Sequence, residues 1–525
     1  MRTLKIDLKD LYVPKKLIHQ YLNQEDSLND LIQDFPSLEA FDHQMRSKAF
    51  SLDKRLILTE VLEEQYQGVQ TSESVWNNIK FLKEEDTYTI TTGHQLCIYT
   101  GPLFFIHKLV SVVKLSQDLK AKYPSKHFVP VYWMATEDHD FEEINHFHLY
   151  NNKYIWESHQ EGPVGRYSID GLLEATQESF DKLGESETSK YLINLFKKAY
   201  QAENNLAKAT QILVNGLFEA YGLVVLDADD SRLKSLFSSH MSEEIVSAFS
   251  EKAVLKTTEN WQDKVQVNPR SCNLFYMLDG FRVRLESEGG QWKTVDNKYT
   301  WSQEDLLKDL EKSPERFSPN VILRPLYQET ILPNLAYLGG PGELAYWFEL
   351  KGLFDEVEEQ FPLLIHRDSF LLVQERVQKK LDKIGIELTE FYKDIDTLVR
   401  ENMEQSDSNL DISYLKDKWQ RDLEELKEPI ENIDLGLSKS LQGEWMKVQK
   451  VIDNLNAKIT RGVKRKEEQK VKALEGLKNS LFPNNGPQER YESFIAVFVE
   501  TEGRLIDYLI KEANCLENKQ SILFL

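Results

Sequence analysis

Three segments of the chain each end an apolar, strand-like run on a short loop of glycine, histidine and acidic residues, and each then leads toward a helical pattern. They span residues 88–95, 129–140 and 335–343. In an open parallel sheet, ligands bind at the carboxyl ends of the strands, where loops and helix N-termini converge. Three such strand ends in one chain therefore predict a single composite binding site.

Strand and helix patterns alternate through the first two thirds of the chain. Residues 88–119 and 127–135 have the period and length of a βαβ unit. Further helices are expected at 204–221 and 232–253, and further strands at 223–227 and 362–366. This pattern is typical of an α/β fold built on a parallel sheet.

Two stretches interrupt the alternation. The first covers about 150–201, where a hairpin is expected around Gly162 and Pro163. The second covers about 255–320, where Asp279 and Gly280 join two alternating runs, a strong hairpin pattern. The core is therefore expected to carry two insertions within residues 1–368.

From about residue 370 the apolar residues follow a helical spacing. Apolar residues step by four and three through a heptad seam that consists of Leu441, Trp445, Val448, Ile452, Leu455 and Ile459. We therefore expect an α-helical coiled-coil domain at 369–482, followed by a C-terminal helix at 483–525 that docks near the core. An exposed apolar stripe on long helices favours a homodimer through this region, with a monomeric arm as the alternative.

Length, charge and cysteine content exclude several classes of protein. A chain of 525 residues is too long for one hydrophobic core. Its net charge of −22 argues against nucleic acid or an anionic membrane as the main partner, although a local basic pocket could still bind a small anion. No signal-peptide pattern or long apolar run is found, and three cysteines cannot build a disulfide framework, so a cytoplasmic location is expected.

The first loop combines Gly93, His94 and Gln95 at a strand end. An imidazole and an amide in this position, followed by Thr100 and Gly101 before the next helix, could both meet a phosphate or a carboxylate. The simpler interpretation is that Gly93 ends the strand and His94 is a surface residue.

The second loop places four ionisable residues, 137–140, directly after an apolar strand. Such groups cannot all be buried without partners, so the loop must face solvent or a ligand. Asp138, His139 and Asp140 could orient an ammonium group, hold Mg²⁺ near a phosphate, or act as a general base through His139. A solvated acidic turn is the alternative.

The third loop contains Gly340, Gly342 and Glu343, where glycine lets the backbone approach a ligand closely. It matches neither the dinucleotide-binding nor the P-loop fingerprint. Arg324 and Arg270 could supply the guanidinium group that an anionic substrate requires.

Two other chemistries remain open on the residues alone. His139, Asp140, His146 and His148 offer transition-metal ligands within ten residues, but their spacing fits no known motif, and no metal is predicted. Cys97 lies three residues from His94 and could be a nucleophile, although a lone apolar-site cysteine is usually inert.

Several longer segments carry a family resemblance. TGHQLCIYTGPLFFIHK, VPVYWMATEDHDFEEIN, CNLFY, ERFSPNVILRPLYQETILPNLAYLGGPGELAYWFELK and PQER together resemble the bacillithiol biosynthesis cysteine-adding enzyme family, in the same order and at similar spacing. The resemblance implies a Rossmann-like core with two connecting-peptide insertions, similar to class I nucleotidyltransferases and aminoacyl-tRNA synthetases. It also implies a helical coiled-coil domain that forms a dimer.

The resemblance further implies a reaction and its ligands. Cysteine is joined by an amide bond to glucosaminyl-malate, with ATP activating the cysteine carboxylate, and ATP or ADP is expected as the bound nucleotide. Asn273 and Tyr276 of the CNLFY motif are expected at the substrate. Gln488, Glu489 and Arg490 of the PQER motif are candidates for a second, nucleotide-binding pocket.

One position departs from the family pattern. Family members often carry glutamine where this chain has His94, so the resemblance implies a hydrogen-bond donor there rather than an essential histidine. The residues alone also allow a metal-dependent hydrolase acting on a small anionic substrate, or a non-enzymatic ligand-sensing coiled-coil scaffold. ATP-dependent consumption of cysteine would favour the ligase over both.

Overall fold

The chain folds into two compact units. The computed structural model describes residues 2–11, 16–259, 261, 264–403, 412–466 and 468–525. The first unit comprises Met1–Leu371 and Glu489–Leu523, and the second comprises Leu372–Gln488. No helix among these described residues is both long enough and apolar enough to cross a membrane.

The β-strands are distributed over several small sheets. In chain order they are β1 Arg2–Asp7, β2 Thr87–His94, β3 His127–Met134, β4 His146–Leu149, β5 Asn152–Ile155, β6 Val224–Asp227, β7 Leu274–Leu278, β8 Phe281–Glu288, β9 Gln291–Thr294, β10 Thr300–Trp301, β11 Phe317–Pro319, β12 Asn334–Gly339, β13 Leu363–His366, β14 Ser369–Val373 and β15 Lys519–Phe524.

The helices fall into three groups along the chain. Before the second unit lie α1 Lys16–Leu22, α2 Leu38–Ser47, α3 Leu52–Gln65, α4 Glu73–Phe81, α5 Phe104–Lys122, α6 Phe141–Ile144, α7 Leu172–Asp181, α8 Glu187–Ala199, α9 Leu206–Phe218, α10 Ser231–Ser247, α11 Phe249–Thr258, α12 Gln303–Lys312, α13 Leu323–Ile331, α14 Pro341–Glu349 and α15 Lys351–Glu356. The second unit contains α16 Glu375–Ile384, α17 Ile395–Met403, α18 Tyr414–Glu431, α19 Leu435–Lys466 and α20 Glu468–Leu481, and the first unit resumes with α21 Ile495–Glu500 and α22 Leu505–Glu512.

A parallel five-stranded sheet forms the centre of the first unit. Its order is β13-β12-β2-β3-β6, with every neighbouring pair parallel. Strands β2 and β3 are almost completely buried, as expected for a parallel sheet covered on both faces. The order is that of a Rossmann sheet, so the strand connections diverge between β2 and β12, and a crevice opens outside their carboxyl ends.

The expected βαβ unit is confirmed, because β2 and β3 pair in parallel and α5 connects them. The turn into α5 depends on Gly101. Its φ is +59°, and a Cβ built there would lie 2.6 Å from Cβ of Cys97. Gly101 therefore lets the chain turn back tightly toward α5, which is a structural role.

The insertions differ in detail from the sequence expectation. The hairpin at Asp279 and Gly280 is confirmed by antiparallel pairing of β7 with β8. In the first insertion the hairpin is instead β4–β5, which turns at Tyr150 and Asn151, both with positive φ, and Gly162 lies in a later loop. The helix expected at 232–253 is broken at Ala248, whose φ of +50° ends α10 and begins α11.

The second unit is helical, as expected for a coiled-coil domain. Helices α18 and α19 form an antiparallel hairpin, in which Trp419 stacks on Trp445 and Lys416 pairs with Asp453. Along the heptad seam Ile452 is buried, whereas Leu455 remains 47% exposed. The hairpin therefore covers part of the seam and leaves part of it in contact with solvent.

The C-terminal segment contains two short helices rather than one long amphipathic helix. Helices α21 and α22 are separated by a turn in which Glu502 and Gly503 have positive φ. Strand β15 then lies between β1 and β14 in a three-stranded sheet. The apolar end of the chain is therefore ordered as a strand.

A buried polar network ties β12 to β2. The Oδ1 atom of Asn334 accepts hydrogen bonds from the hydroxyl groups of Thr89 and Thr91, and its Nδ2 donates to Oε1 of Glu329 at 2.7 Å. Glu329 is fully buried, and its Oε2 has no hydrogen-bond partner, with Nζ of Lys48 3.7 Å away. Burial, opposed by Lys48, raises the pKa of Glu329 to about 7.

This raised pKa predicts how stability depends on pH. Because the folded state binds the proton of Glu329 more tightly than the unfolded state, the free energy of unfolding should fall as pH rises from about 4.5 to about 7. The Glu329→Gln variant has no titratable group at this position. Its free energy of unfolding, relative to that of the parent, should therefore rise over that pH range by up to about 3 kcal/mol. Urea unfolding at several pH values measures the effect. The exposed Glu356→Gln is the control, and parallel pH profiles for all three proteins would contradict the prediction.

Candidate functional site

A cleft of about 680 Å³ opens at the carboxyl ends of β2, β3 and β12. The residues that line it are Gly93, His94, Gln95, Phe104, Lys108, Trp133, Met134, Ala135, Thr136, Glu137, Asp138, His139, Asp140, Ala228, Phe275, Arg282, Pro319, Asn320, Val321, Arg324, Tyr337, Gly340, Gly342, Glu343, Tyr346, Arg367 and Arg490. The structure thus brings the three glycine-rich and acidic loops predicted from the sequence to one cleft.

Arg324 contributes a guanidinium group to the lining of the cleft. Its guanidinium donates to the hydroxyl of Tyr346 at 3.0 Å and reaches Oε1 of Gln328 at 3.4 Å. Among the described residues, no carboxylate oxygen lies within 4 Å of this guanidinium. Arg324 therefore has no direct carboxylate partner among the described residues and can bind an anionic ligand.

Lys108 and Glu343 form an ion pair in the cleft, in which Lys108 is 2% exposed and Glu343 is 27% exposed at the side chain. Nζ of Lys108 lies 2.7 Å from Glu343 and also donates to the carbonyl of Gly93 at 2.7 Å. Glu343 in turn accepts from Tyr337 and from the backbone N–H of Gly340, where it completes the capping box that begins α14. Burial opposes its ionisation, but Lys108 and these hydrogen bonds lower the pKa of Glu343 to about 2.

Arg367 approaches the cleft from the end of β13. It forms a two-point ion pair with Glu489, which also accepts from His107 and from Ser369. Arg367 is only 2% exposed, and its Nε has no hydrogen-bond partner. The charge of Arg367 is therefore balanced within the protein, and Glu489 is occupied by structural contacts.

The loop after β3 supplies acidic residues to the cleft. Nε2 of Gln95 donates to Asp138 at 2.9 Å and to Glu143 at 2.8 Å, which links the first loop to the second. His139 is 42% exposed at the side chain, and its Nδ1 lies 2.6 Å from Nη1 of Arg282. Asp138 and Asp140 both line the cleft, and neither is ion-paired with a lysine or an arginine among the described residues. Their carboxylates are therefore available to a cationic group in the cleft.

Glu137 belongs to a separate, buried cluster behind the acidic loop. It pairs with Lys234, which is 1% exposed at the side chain and also binds Asp229 at 3.0 Å. Asp229 is further paired with Arg166. Burial, partly offset by Lys234, raises the pKa of Glu137. Glu137 therefore anchors the loop and is not a free carboxylate of the cleft.

His94 is enclosed by aromatic side chains. Its ring lies against Phe104 and Phe105, and its Nε2 is 3.8 Å from Sγ of Cys97. Burial, assisted by the charge of Lys108, lowers the pKa of His94 to about 3, so the imidazole is neutral at physiological pH. Burial also raises the pKa of the Cys97 thiol to about 12, which makes this thiol a poor nucleophile.

Four residues predicted at the substrate do not line the cleft. Thr100 and Gly101 shape the tight turn before α5. Asn273 is buried, where it binds Glu244 and Ser250 and accepts from Asn320. The fourth is Tyr276, whose hydroxyl donates to Asp309 at 2.8 Å. Asn273 thereby holds Asn320, which lines the cleft.

The three residues of the PQER motif that are candidates for nucleotide binding have different surroundings. The amide of Gln488 exchanges hydrogen bonds with the backbone of Leu372, and Glu489 is bound to Arg367. Arg490 is exposed, lines the cleft, and lies 5.6 Å from the centre of the Phe104 ring. Of the three, only Arg490 offers its side chain to a ligand of the cleft.

The residues proposed as metal ligands are only partly together. Among the described residues, Asp138, His139 and Asp140 place ligand atoms within 4.8 Å of one another, whereas His146 and His148 do not join them. His148 stacks instead on Tyr491. Because the guanidinium of Arg282 already occupies Nδ1 of His139, a second cation there would be repelled.

Comparison with known proteins decides the family. Residues 1–368 match the model described as bacillithiol biosynthesis BshC, N-terminal Rossmann-like domain, and residues 370–525 match the BshC C-terminal coiled-coil domain. The chain belongs to the BshC family. A relative from Flavobacterium johnsoniae named "Putative cysteine ligase BshC" is 41% identical over 97% of both chains. A relative of the same name from Bacillus cereus is 28% identical over 92% of this chain and 94% of its own.

Sequence reasoning missed several groups of this BshC cleft. Lys108 lies in an apolar helical run. Only its position among the buried residues of α5 could have indicated a functional role, because a buried lysine requires a partner. Arg367 follows a buried strand directly, a position where a charge requires a partner. Arg282 lies in an alternating hairpin strand, and nothing in that pattern distinguishes it from Arg284.

Proposed function

We propose that this chain joins cysteine to glucosaminyl-malate through an amide bond in bacillithiol biosynthesis. The observation that carries the proposal is one cleft, in a BshC-family chain, that is lined both by guanidinium groups and by carboxylates. Both substrates carry carboxylate and ammonium groups. The charged groups of the cleft therefore complement the charges of both substrates.

The charged groups of the cleft suggest a division of roles. Arg324 and Arg490 would bind substrate carboxylates, since a guanidinium matches a carboxylate in charge and shape. Asp138 and Asp140 would attract the ammonium group of the aminosugar. This arrangement would bring an amine and a carboxylate together within one cleft, which lowers the entropic barrier to their reaction.

Amide formation replaces a C–O bond of the cysteine carboxylate with a C–N bond, and the attacking ammonium must lose protons. Asp138 is placed to accept such a proton, because its carboxylate faces the cleft and is held by Gln95. The reacting carbon would lie in the cleft at the carboxyl ends of β2, β3 and β12.

ATP is proposed as the co-substrate and would supply the leaving group that the cysteine carboxylate lacks. The fit rests on Arg324 and Arg490, two cleft guanidinium groups with no carboxylate within 4 Å among the described residues. Such groups bind phosphate oxygens well. Because Gln488 and Glu489 are engaged in protein contacts, they offer no comparable phosphate contact.

Incubation of the purified protein with glucosaminyl-malate, cysteine and ATP, with products read by mass, tests the proposal. The expected product is the cysteinyl amide, formed only when all three compounds are present. Replacing ATP by a non-hydrolysable analogue is the matched control. Consumption of glucosaminyl-malate without cysteine, dependent on an added transition metal, would instead support the hydrolase.

Arg324→Met should raise KM for the anionic substrate by about tenfold to a hundredfold, because one charge-assisted hydrogen-bonded pair is lost. Steady-state kinetics with each substrate varied in turn identifies which carboxylate Arg324 binds. Arg270→Met is the matched control, since Arg270 was the other candidate guanidinium in the sequence and is exposed outside the cleft. Equal kinetics for Arg324→Met and the parent would contradict the assignment.

A homodimer through the second unit is proposed from its exposed apolar residues. Within the described helices, Trp419, Leu437, Met446, Val451 and Leu455 are each 47–63% exposed. Exposed apolar side chains on a helical hairpin are typical of a surface covered by a partner. Light scattering at micromolar concentration should give twice the mass of 61.3 kDa, and a monomer would exclude the dimer. A cytoplasmic location is proposed with it and is tested by cell fractionation.

A further inference from the structure

Arg282 reaches the cleft from the second insertion and not from the central sheet. Its guanidinium carbon lies 3.9 Å from the centre of the Phe275 ring, and its Nε donates to the hydroxyl of Ser318 at 3.1 Å. These contacts fix the guanidinium plane, and Nη1 then lies 2.6 Å from Nδ1 of His139. Arg282 is therefore held against His139 by groups other than the histidine itself.

The guanidinium of Arg282 is not paired with a carboxylate of the described residues. Among the described residues, no carboxylate oxygen lies within 4 Å of Arg282. Glu137, which shares the Ser318 hydroxyl, is paired with Lys234. The ring nitrogen of His139 is thus the principal acceptor for Nη1.

The chemistry of this contact determines which ring nitrogen carries the proton. A guanidinium has five N–H donors and no acceptor, so Nδ1 of His139 must accept, and the neutral ring carries its proton on Nε2. Asp138 does not compete for a proton on Nδ1. Its Oδ1 is 3.8 Å from that nitrogen and already accepts the backbone N–H of His139 at 2.8 Å.

We propose that Arg282 is a positioning residue that keeps His139 in its Nε2–H form, so that His139 donates a hydrogen bond to a substrate oxygen and does not remove a proton. The inference rests on the proposed ligation. A donor at this position stabilises the negative charge that develops on the carbonyl oxygen while the amine attacks. The proton of the ammonium group then passes to Asp138, which revises the sequence interpretation of His139 as a general base.

Nitrogen-15 NMR of histidine-labelled protein tests the tautomer without any turnover. Long-range proton–nitrogen correlations near neutral pH show which ring nitrogen is protonated, and comparison with His139→Gln identifies His139 among the eleven histidines. We expect the proton on Nε2 in the parent and in Arg282→Lys, which keeps a donor. In Arg282→Met we expect averaged signals or a protonated Nδ1.

Arg284→Met, two residues along β8, should leave the pattern unchanged and serves as the matched control. A proton on Nδ1 in the parent overturns the proposal whether or not any variant folds. An Arg282→Met spectrum identical to that of the parent also overturns it.

Kinetics then test the role in the reaction. We expect Arg282→Met to lower kcat by about tenfold to a hundredfold with KM for cysteine little changed, and Arg282→Lys to recover part of the loss. If the proton of His139 moves to the other ring nitrogen in a variant whose kcat is unchanged, His139 does not act as the donor. A parent that shows the Nε2–H pattern yet forms no amide would contradict the proposed function alone.

Discussion

Lys108→Met is expected to lower the free energy of unfolding by about 2–3 kcal/mol, because it leaves the partly buried Glu343 carboxylate without its cation. The same change removes the hydrogen bond to the Gly93 carbonyl at the floor of the cleft. Ionised Glu343 stabilises the fold above its unfolded pKa, and this contribution is lost as pH falls toward about 2. Urea unfolding near neutral pH measures the effect.

A double-mutant cycle separates the ion pair from simple loss of packing. Lys108→Met/Glu343→Gln should be more stable than Lys108→Met, because the unpaired charge is gone. Lys114→Met is the matched control on α5. It breaks a partly exposed pair with Asp118 and should cost less than about 1 kcal/mol. Additive effects of the two cleft substitutions would show that Lys108 and Glu343 act independently.

Asp138→Asn is expected to lower the rate of amide formation by about 10²- to 10⁴-fold, the usual cost of removing a general base. Asparagine keeps one oxygen that can still accept the backbone N–H of His139, but its amide nitrogen replaces the oxygen that accepts from Gln95, so one hydrogen bond between the two loops is lost. Initial rates of product formation at saturating substrate measure the loss. Circular dichroism and the unfolding midpoint check that folding is unchanged.

His94→Gln is the comparison for Asp138→Asn. His94 is neutral and enclosed by Phe104 and Phe105, so its replacement should cost about the value of one neutral hydrogen bond, roughly fivefold in rate. A variant of His94 that abolished activity while Asp138→Asn retained the parent rate would assign the acid–base chemistry to the first loop.

Much of the fold could be predicted because strand and helix periods in a buried parallel sheet are clear. The expected strands at 88–95, 127–135 and 223–227 lie within two residues of the observed β2, β3 and β6. The errors arose where backbone conformation overrides periodicity. Ala248 interrupts an otherwise continuous helical pattern through a positive φ. Strand β1 was missed because its pairing with β15 depends on residues more than 500 positions away.

The candidate site could be predicted where position along a strand is informative. Loops at the ends of β2, β3 and β12 must meet at one edge of the sheet, so residues such as Asp138 and Glu343 were found. Arg282 and Arg490 come from an insertion and from the C-terminal segment. Their arrival at the cleft depends on tertiary packing that no local pattern encodes. Asn273 was misplaced because a motif shared within a family can serve the scaffold as well as the ligand.

The order in which the chain is synthesised gives the Glu489–Arg367 ion pair a further consequence. The ribosome completes the parallel sheet first and then makes all of 372–488 before Glu489 emerges. Until that moment Arg367 lacks its counter-charge and β1 lacks its neighbour β15. A chain that stops within the helical unit therefore lacks both Glu489 and Arg490, and we expect its cleft to be incomplete.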